Sequence, residues 1–185
     1  AFDGKVYFSA KSPSTGYEVF ASDGTAAGPR VALDLVPGSR DSSPLDLVTA
    51  GGKLYFSATD PSGIGDRVLW VSDGTLAGTH MVADSGGRSP IKPNDLTAFQ
   101  SRLVFSSGDE GVFNPSHPNG LWVTDGTAPG TTSLGAWNNG AMYASDDLVF
   151  FTNGTELGTT NGTVAGTQIV GGVNGYPVLG GAYKN

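Results

Sequence analysis

Four stretches of this chain carry nearly the same polar side chains at the same spacing. They read SDGTAAGPR at 22–30, SDGTLAGTH at 72–80, TDGTAPGTT at 124–132 and TNGTVAGTQ at 160–168. Two chemistries suit an Asp, a Gly and a Thr in that order. Carboxylates, hydroxyls and carbonyls together can hold calcium, but that ion takes about six to eight oxygens and each stretch offers one acid at most. Turn chemistry explains every position instead. Asp and Asn accept hydrogen bonds from amides a little further on, Gly permits positive φ, and Thr hydroxyls bond to loop backbone. The stretch reads as one chain reversal used four times.

Other residues offer more specific chemistry. Asp46 and Asp95 hold equivalent places in PLDLVTA (44–50) and PNDLTAF (93–99), where the related GAMYAS (140–145) has Gly140. Two carboxylates converging on a common axis, with carbonyls around them, could hold Ca²⁺ or another cation. Alternatively, each Asp caps the start of its own strand. Trp137 stands beside Asn138 and Asn139. A Trp ring stacks on a pyranose face while amides meet hydroxyls, or the ring plugs a gap in the fold. The unrepeated segments also carry Asp109, Glu110, Phe113, His117 and Tyr176, with Arg40, Asp41, Asp60 and Arg88. Catalytic signatures are sparse. His80 and His117 cannot build a three-histidine zinc site, and no G-x-S-x-G, P-loop or H-E-x-x-H motif occurs. Asp109 and Glu110 are neighbours and point apart in an extended loop. The sequons at Asn153 and Asn161 read as turns, because Asn-Gly suits hairpin reversal.

Short strands must position these residues. Upstream of each turn lies an apolar run: YEVFAS (17–22), RVLWVS (67–72), NGLWVT (119–124) and TELGTT (155–160). Before that comes another: GKVYFSA (4–10), GKLYFSA (52–58), SRLVFSS (101–107) and DDLVFFT (146–152). With the segment before these and the one after the turn, each unit holds four strands, here called A to D. Four-stranded units repeating at roughly 40–50 residues are the signature of propeller blades. The expected fold is all-β, a four-bladed β-propeller. Its blades run at about 1–34 plus 174–185, 44–84, 93–135 and 139–171. In this reading 174–185 supplies strand A to the first blade, latching the ring and hiding two sheet edges.

Composition narrows the function classes. A net charge of −7 with 10 scattered Lys and Arg argues against nucleic acid and anionic membrane surfaces as partners. No apolar run is long enough for a membrane-spanning helix. With no Cys, disulfides and thiolate sites are absent. A start at Ala1 rather than Met fits removal of a signal peptide, or processing.

The pattern Glu-Leu-Trp, two residues, Asp-Gly-Thr, two residues, Gly-Thr resembles a family of exported bacterial repeat proteins read as propeller-like. Here it stands as YEVFASDGTAAGP, RVLWVSDGTLAGT, GLWVTDGTAPGT and TELGTTNGTVAGT. Phe20 and Gly158 replace its Trp, Pro29 a Thr and Asn161 an Asp. In ring size and an Asp early in strand A the chain is also similar to hemopexin-like domains. The resemblance implies a secreted or cell-surface location and no particular activity. In a propeller the C–D and A–B connections share one face, and here they repeat. The B–C and D–A connections share the other face, and here they differ in every unit. Repetition serves a scaffold and divergence serves recognition. The expected function is a non-catalytic, lectin-like binding or adhesion module that meets a carbohydrate or protein through the divergent face. The alternatives are a polysaccharide hydrolase or lyase using Asp109 or Glu110, and a protease-inhibitor-like binder using loop 107–119.

Overall fold

The computed structural model describes residues 1–61, 67–87, 92–108, 120–137 and 140–172. Within them the chain is all-β, with four antiparallel sheets and no helix. Sheet 1 orders β1 (Val6–Ser12), β2 (Gly16–Ser22) and β3 (Arg30–Leu33). Sheet 2 orders β4 (Leu45–Ala50), β5 (Lys53–Thr59), β6 (Arg67–Ser72) and β7 (His80–Met81). Sheet 3 runs β8 (Pro93–Phe99), β9 (Arg102–Ser107), β10 (Gly120–Thr124) and β11 (Thr132–Gly135). Sheet 4 runs β12 (Met142–Ala144), β13 (Val149–Asn153), β14 (Glu156–Thr160) and β15 (Gln168–Gly172).

Alternation along each strand gives every inner sheet two apolar faces, so each packs on both neighbours. From sheet 2, Leu54, Phe56 and Trp70 meet Val19 and Leu33 of sheet 1. Its other face sends Tyr55, Leu69 and Val71 against Leu103, Phe105 and Trp122 of sheet 3. Val104, Leu121 and Val123 then meet Val149 and Phe151 of sheet 4. Most of these side chains are buried, and each contributes roughly 1.5–3 kcal/mol on removal from water. Phe56 and Trp70 lie parallel, their ring centroids 6.5 Å apart. The first strands of successive sheets gather together: β4 lies against β8, and β8 against β12.

Tight hairpins join strands A and B. Gly51 and Gly52 adopt φ of +55° and +70°, as Asp3 and Gly4 do at +48° and +67°, the geometry that matches strand twist. Gly51 also rests on the carbonyl of Ser101 in the next hairpin, where a side chain would collide.

One register differs from the sequence alignment. Matching DDLVFFT to SRLVFSS places Leu148 opposite the position of Leu103. The structure pairs Val149 with Thr160, just as Leu103 pairs with Thr124 and Leu54 with Ser72. The end of strand C is pinned by the turn that follows it. Residues 148–151 are all apolar, so both registers suit the pattern and only the pairing decides.

Candidate functional site

The repeated turns come first, because they decide which polar side chains are free. In the third turn Asp125 Oδ1 accepts from the Thr127 amide at 2.8 Å and from its hydroxyl at 2.7 Å. Thr127 Oγ1 in turn accepts from the Gly130 amide at 3.1 Å. Thr131 donates to the Thr127 carbonyl at 2.7 Å and stands 2.7 Å from the Thr124 hydroxyl. Thr124 also accepts from the Gly126 amide. The second turn repeats this through Ser72, Asp73, Thr75 and Thr79, and the fourth through Thr160, Asn161, Thr163 and Thr167. The acid packs directly over the second Gly, so a side chain on Gly78 or Gly130 would overlap the carboxylate of Asp73 or Asp125. Bonds from Thr127 hold the Asp125 carboxyl below its ordinary range, and Thr75 and Thr25 do the same for Asp73 and Asp23. The motif is spent on its own turn.

The opposite ends of the inner strands differ in character. Asp46 and Asp95 sit at β-bulges, where one extra residue enters β4 between Leu45 and Val48 and β8 between Asn94 and Thr97. Both take left-handed backbone, φ +55° and +51°, a conformation that Asp tolerates better than most residues. Ser43 and Lys92, each before a proline, are also left-handed at +49° and +47°. Sheet 4 lacks the bulge. Met142, Tyr143 and Ala144 pair without interruption, so nothing there corresponds to Asp46 or Asp95, and Gly140 instead packs on Thr152.

Arg67 opens β6 of sheet 2 at this end of the strands. Its Nη2 donates to the carbonyls of Ser43 and Ser57, both at 2.8 Å, and to the Ser57 hydroxyl at 3.0 Å. Burial lowers its pKa, and the charge of Asp46 opposes that effect. Desolvation holds the Asp95 carboxyl above its ordinary range, against a 3.3 Å bond from the Ser106 hydroxyl, and the charge of Asp46 raises it further. Asp46, Asp95 and Arg67 therefore form one electrostatic group that joins adjacent sheets. Arg67 was not legible as part of it, because its partners, Ser43 in the segment before β4 and Ser57 in β5, are met only once the strands pair.

Glu18 was also missed. It is fully buried in β2. Its carboxylate accepts from the amides of Leu35 and Ser42 at 2.9 and 3.0 Å and from the Ser42 hydroxyl at 2.6 Å. Burial raises its pKa despite those bonds. It is the Glu of the Glu-Leu-Trp pattern, and here it ties the loop after β3 to the sheet.

Trp137 is half-buried between sheets 3 and 4. Its ring tilts against Phe151 at 5.4 Å, and its indole N–H donates to the Leu134 carbonyl at 3.4 Å. The Phe151 ring covers Gly158, the position where sheets 2 and 3 carry Trp70 and Trp122. Trp137 and Phe151 together thus fill the space left by the missing Trp. Of the remaining candidates, Asp41 accepts from the Tyr17 amide at 2.9 Å, and Arg40 is exposed. Arg88, Asp109, Glu110, Phe113, His117, Asn138, Asn139 and Tyr176 lie outside the described residues. Among the described residues no group of three or more His, Cys, Asp or Glu could hold a metal ion. No helix there is long and apolar enough to cross a membrane. No protein-family model matches the chain, and no curated protein matches it.

Proposed function

We propose that the chain is a non-catalytic binding module of an exported bacterial protein, recognising a carbohydrate or protein surface through its unrepeated face. The observation that carries this reading is the commitment of polar groups. On the repeated face the second, third and fourth turns consume their side chains internally. At the other end of the inner strands, Asp46 and Asp95 are exposed on left-handed bulges beside loops that differ in every unit. Non-glycine residues held in such backbone cost roughly 1–3 kcal/mol each, and such strain clusters at functional sites.

The supporting architecture is a closed four-bladed ring latched by residues 174–185. Sheet 1 shows three strands where the others show four. Its face away from sheet 2 carries Val6 and Val31, 57% and 38% exposed, with Phe8 and Phe20 beside them. The equivalent face of every other sheet packs on the preceding one, which supports sheet 4 as the partner here.

A cation between Asp46 and Asp95 is a second reading, favoured by their equivalent bulges on adjacent strands. The two carboxylates and the Ser106 hydroxyl supply fewer oxygens than calcium takes, so water would complete the shell. Calcium should then raise the Tm of the native chain and leave that of D46N/D95N unchanged; no rise in the native chain removes the cation from the reading.

Glycan-array and protein-capture binding tests the function. Replacing 109–118 by a Gly-Ser linker, or D46N/D95N, should weaken binding about tenfold or more, whereas Thr79→Val should leave it intact. Binding that survives both changes on the unrepeated face overturns the assignment. Polysaccharide turnover dependent on Asp109 or Glu110 would establish the hydrolase or lyase alternative instead.

A further inference from the structure

The seam between sheets 1 and 2 departs from the other two at one place. Between sheets 2 and 3, Lys53 Nζ donates to the Asp125 carbonyl at 2.6 Å, and between sheets 3 and 4, Arg102 Nη1 donates to the Gly162 carbonyl at 3.1 Å. Each cation follows an A–B hairpin and bolts its sheet to the next turn. Lys5 follows the equivalent hairpin of sheet 1, yet no such bolt forms. The nearest atoms to a methyl group placed on Gly74 would be the Tyr7 hydroxyl at 3.0 Å and Phe2 Cε1 at 3.3 Å.

The first turn differs as well. Pro29 stands where the other turns have Thr79, Thr131 and Thr167, so the hydroxyl that ties strand to loop is missing. Gly28 takes φ of +73° and faces open space, unlike Gly78 and Gly130 beneath their carboxylates. Between the loosened turn and the unbolted lysine lies a groove of about 260 Å³, with Lys5, Tyr7, Asp23, Arg30, Val31 and Gly74 in its lining.

The charge placement is the informative part. In a chain of net charge −7, two of the 10 Lys and Arg line this groove. Lys53, Arg67 and Arg102 donate to carbonyls, and Lys11 approaches Asp41. Among the described residues the side chains of Lys5 and Arg30, like that of exposed Arg40, donate no hydrogen bond and close no ion pair, and the charge of Lys5 helps to hold the Asp23 carboxyl low. A guanidinium fork and an ammonium on one concave surface match a carboxylate. Asp23 commits Oδ1 to Thr25, which leaves its second oxygen to accept a hydroxyl. Tyr7, on the face of sheet 1 turned toward sheet 2, adds apolar surface for a C–H face. The volume lies just below the roughly 300–1,000 Å³ of drug-sized pockets, so it suits one sugar unit.

We propose that this groove binds a hydroxy-carboxylate of the uronic-acid class, with its carboxylate between Lys5 and Arg30 and a hydroxyl on Asp23. The site lies on the repeated face and is independent of recognition at the unrepeated one.

The test is amide NMR on the full 185-residue chain, titrated with sodium D-glucuronate, D-glucose or sodium sulfate at constant ionic strength. Glucuronate should give saturable shifts at Thr25, Gly28 and Gly74, and glucose none. Lys5→Met and Arg30→Met should each weaken the Kd about tenfold, with unchanged Thr131 and Thr167 amides reporting an intact fold. Absence of saturable shifts with glucuronate overturns the proposal. So do equal shifts with sulfate, which mark a bare anion site, and binding that survives both substitutions.

Discussion

At the scale of the residue, Thr131 shows how the turn is held. Its hydroxyl spans Thr124 and the Thr127 carbonyl in a buried position. Thr131→Val should therefore cost about 1–2 kcal/mol in urea unfolding, since the buried Thr124 hydroxyl loses a bond that water does not replace. The aspartates add a pH signature. Asp23, Asp73 and Asp125 have pKa values below the ordinary 3.8. Their contribution is thus fully present above that value and is lost as pH falls through the lowered one. Asn161 in the fourth turn does not titrate. On acidification in NMR, the amides of Thr25, Thr75 and Thr127 should shift and that of Thr163 should not. Glu18 has the opposite sign. Its pKa is raised above 4.5, so the folded state keeps its proton to higher pH than the unfolded chain does. Stability from this group is full below 4.5 and declines as pH rises through the folded value. Glu18→Gln should remove that slope from the stability–pH profile. It should also cost about 1–3 kcal/mol at neutral pH, because an amide meets backbone donors with only one acceptor.

At the scale of the element, the seam between sheets 3 and 4 carries the clearest compensation. Gly158 leaves room for Phe151, and Trp137 closes over that ring from a loop outside the repeat. Trp137→Ala should destabilise the chain by about 2 kcal/mol, less than a fully buried Trp because the ring is half-buried, while Trp137→Phe keeps most of the packing. Chemical denaturation measures both, and a neutral Trp137→Ala would show that the ring adds nothing to the seam. The four-strand unit was legible at this scale, since turns and alternating runs recur at a regular period. The register of β13 was not. Leu148, Val149, Phe150 and Phe151 satisfy the pattern in either phase, and only pairing with Thr160 separates them. The bulges at Asp46 and Asp95 were hidden for a related reason. An extra residue in one strand is visible only against its partner, and the motif around Asp46 reads equally well as a regular strand.

At the scale of the whole molecule, the proposed ring makes its own prediction. Truncation after Gly172 should uncover the face of Val6, Phe8, Phe20 and Val31. The Tm should fall by about 5 °C, the shift expected for a loss of about 2 kcal/mol at this chain length, and binding of a hydrophobic dye should rise. An unchanged Tm would detach residues 173–185 from ring closure. The sequence by itself determined the class of the fold, the count of the units and the chemistry of the repeated turns. Each of these is written in a few adjacent residues whose preferences are local, as in the Asp, Gly and Thr of each reversal. Only the tertiary structure decided which side chains meet across the seams. Lys53 reaches Asp125, Arg102 reaches Gly162, and Trp137 closes over the ring that replaces a Trp at Gly158. Lys5, in the same place as those two cations, is left facing a groove. Those outcomes depend on how neighbouring sheets twist and close on one another, which distant residues settle jointly and no local pattern records.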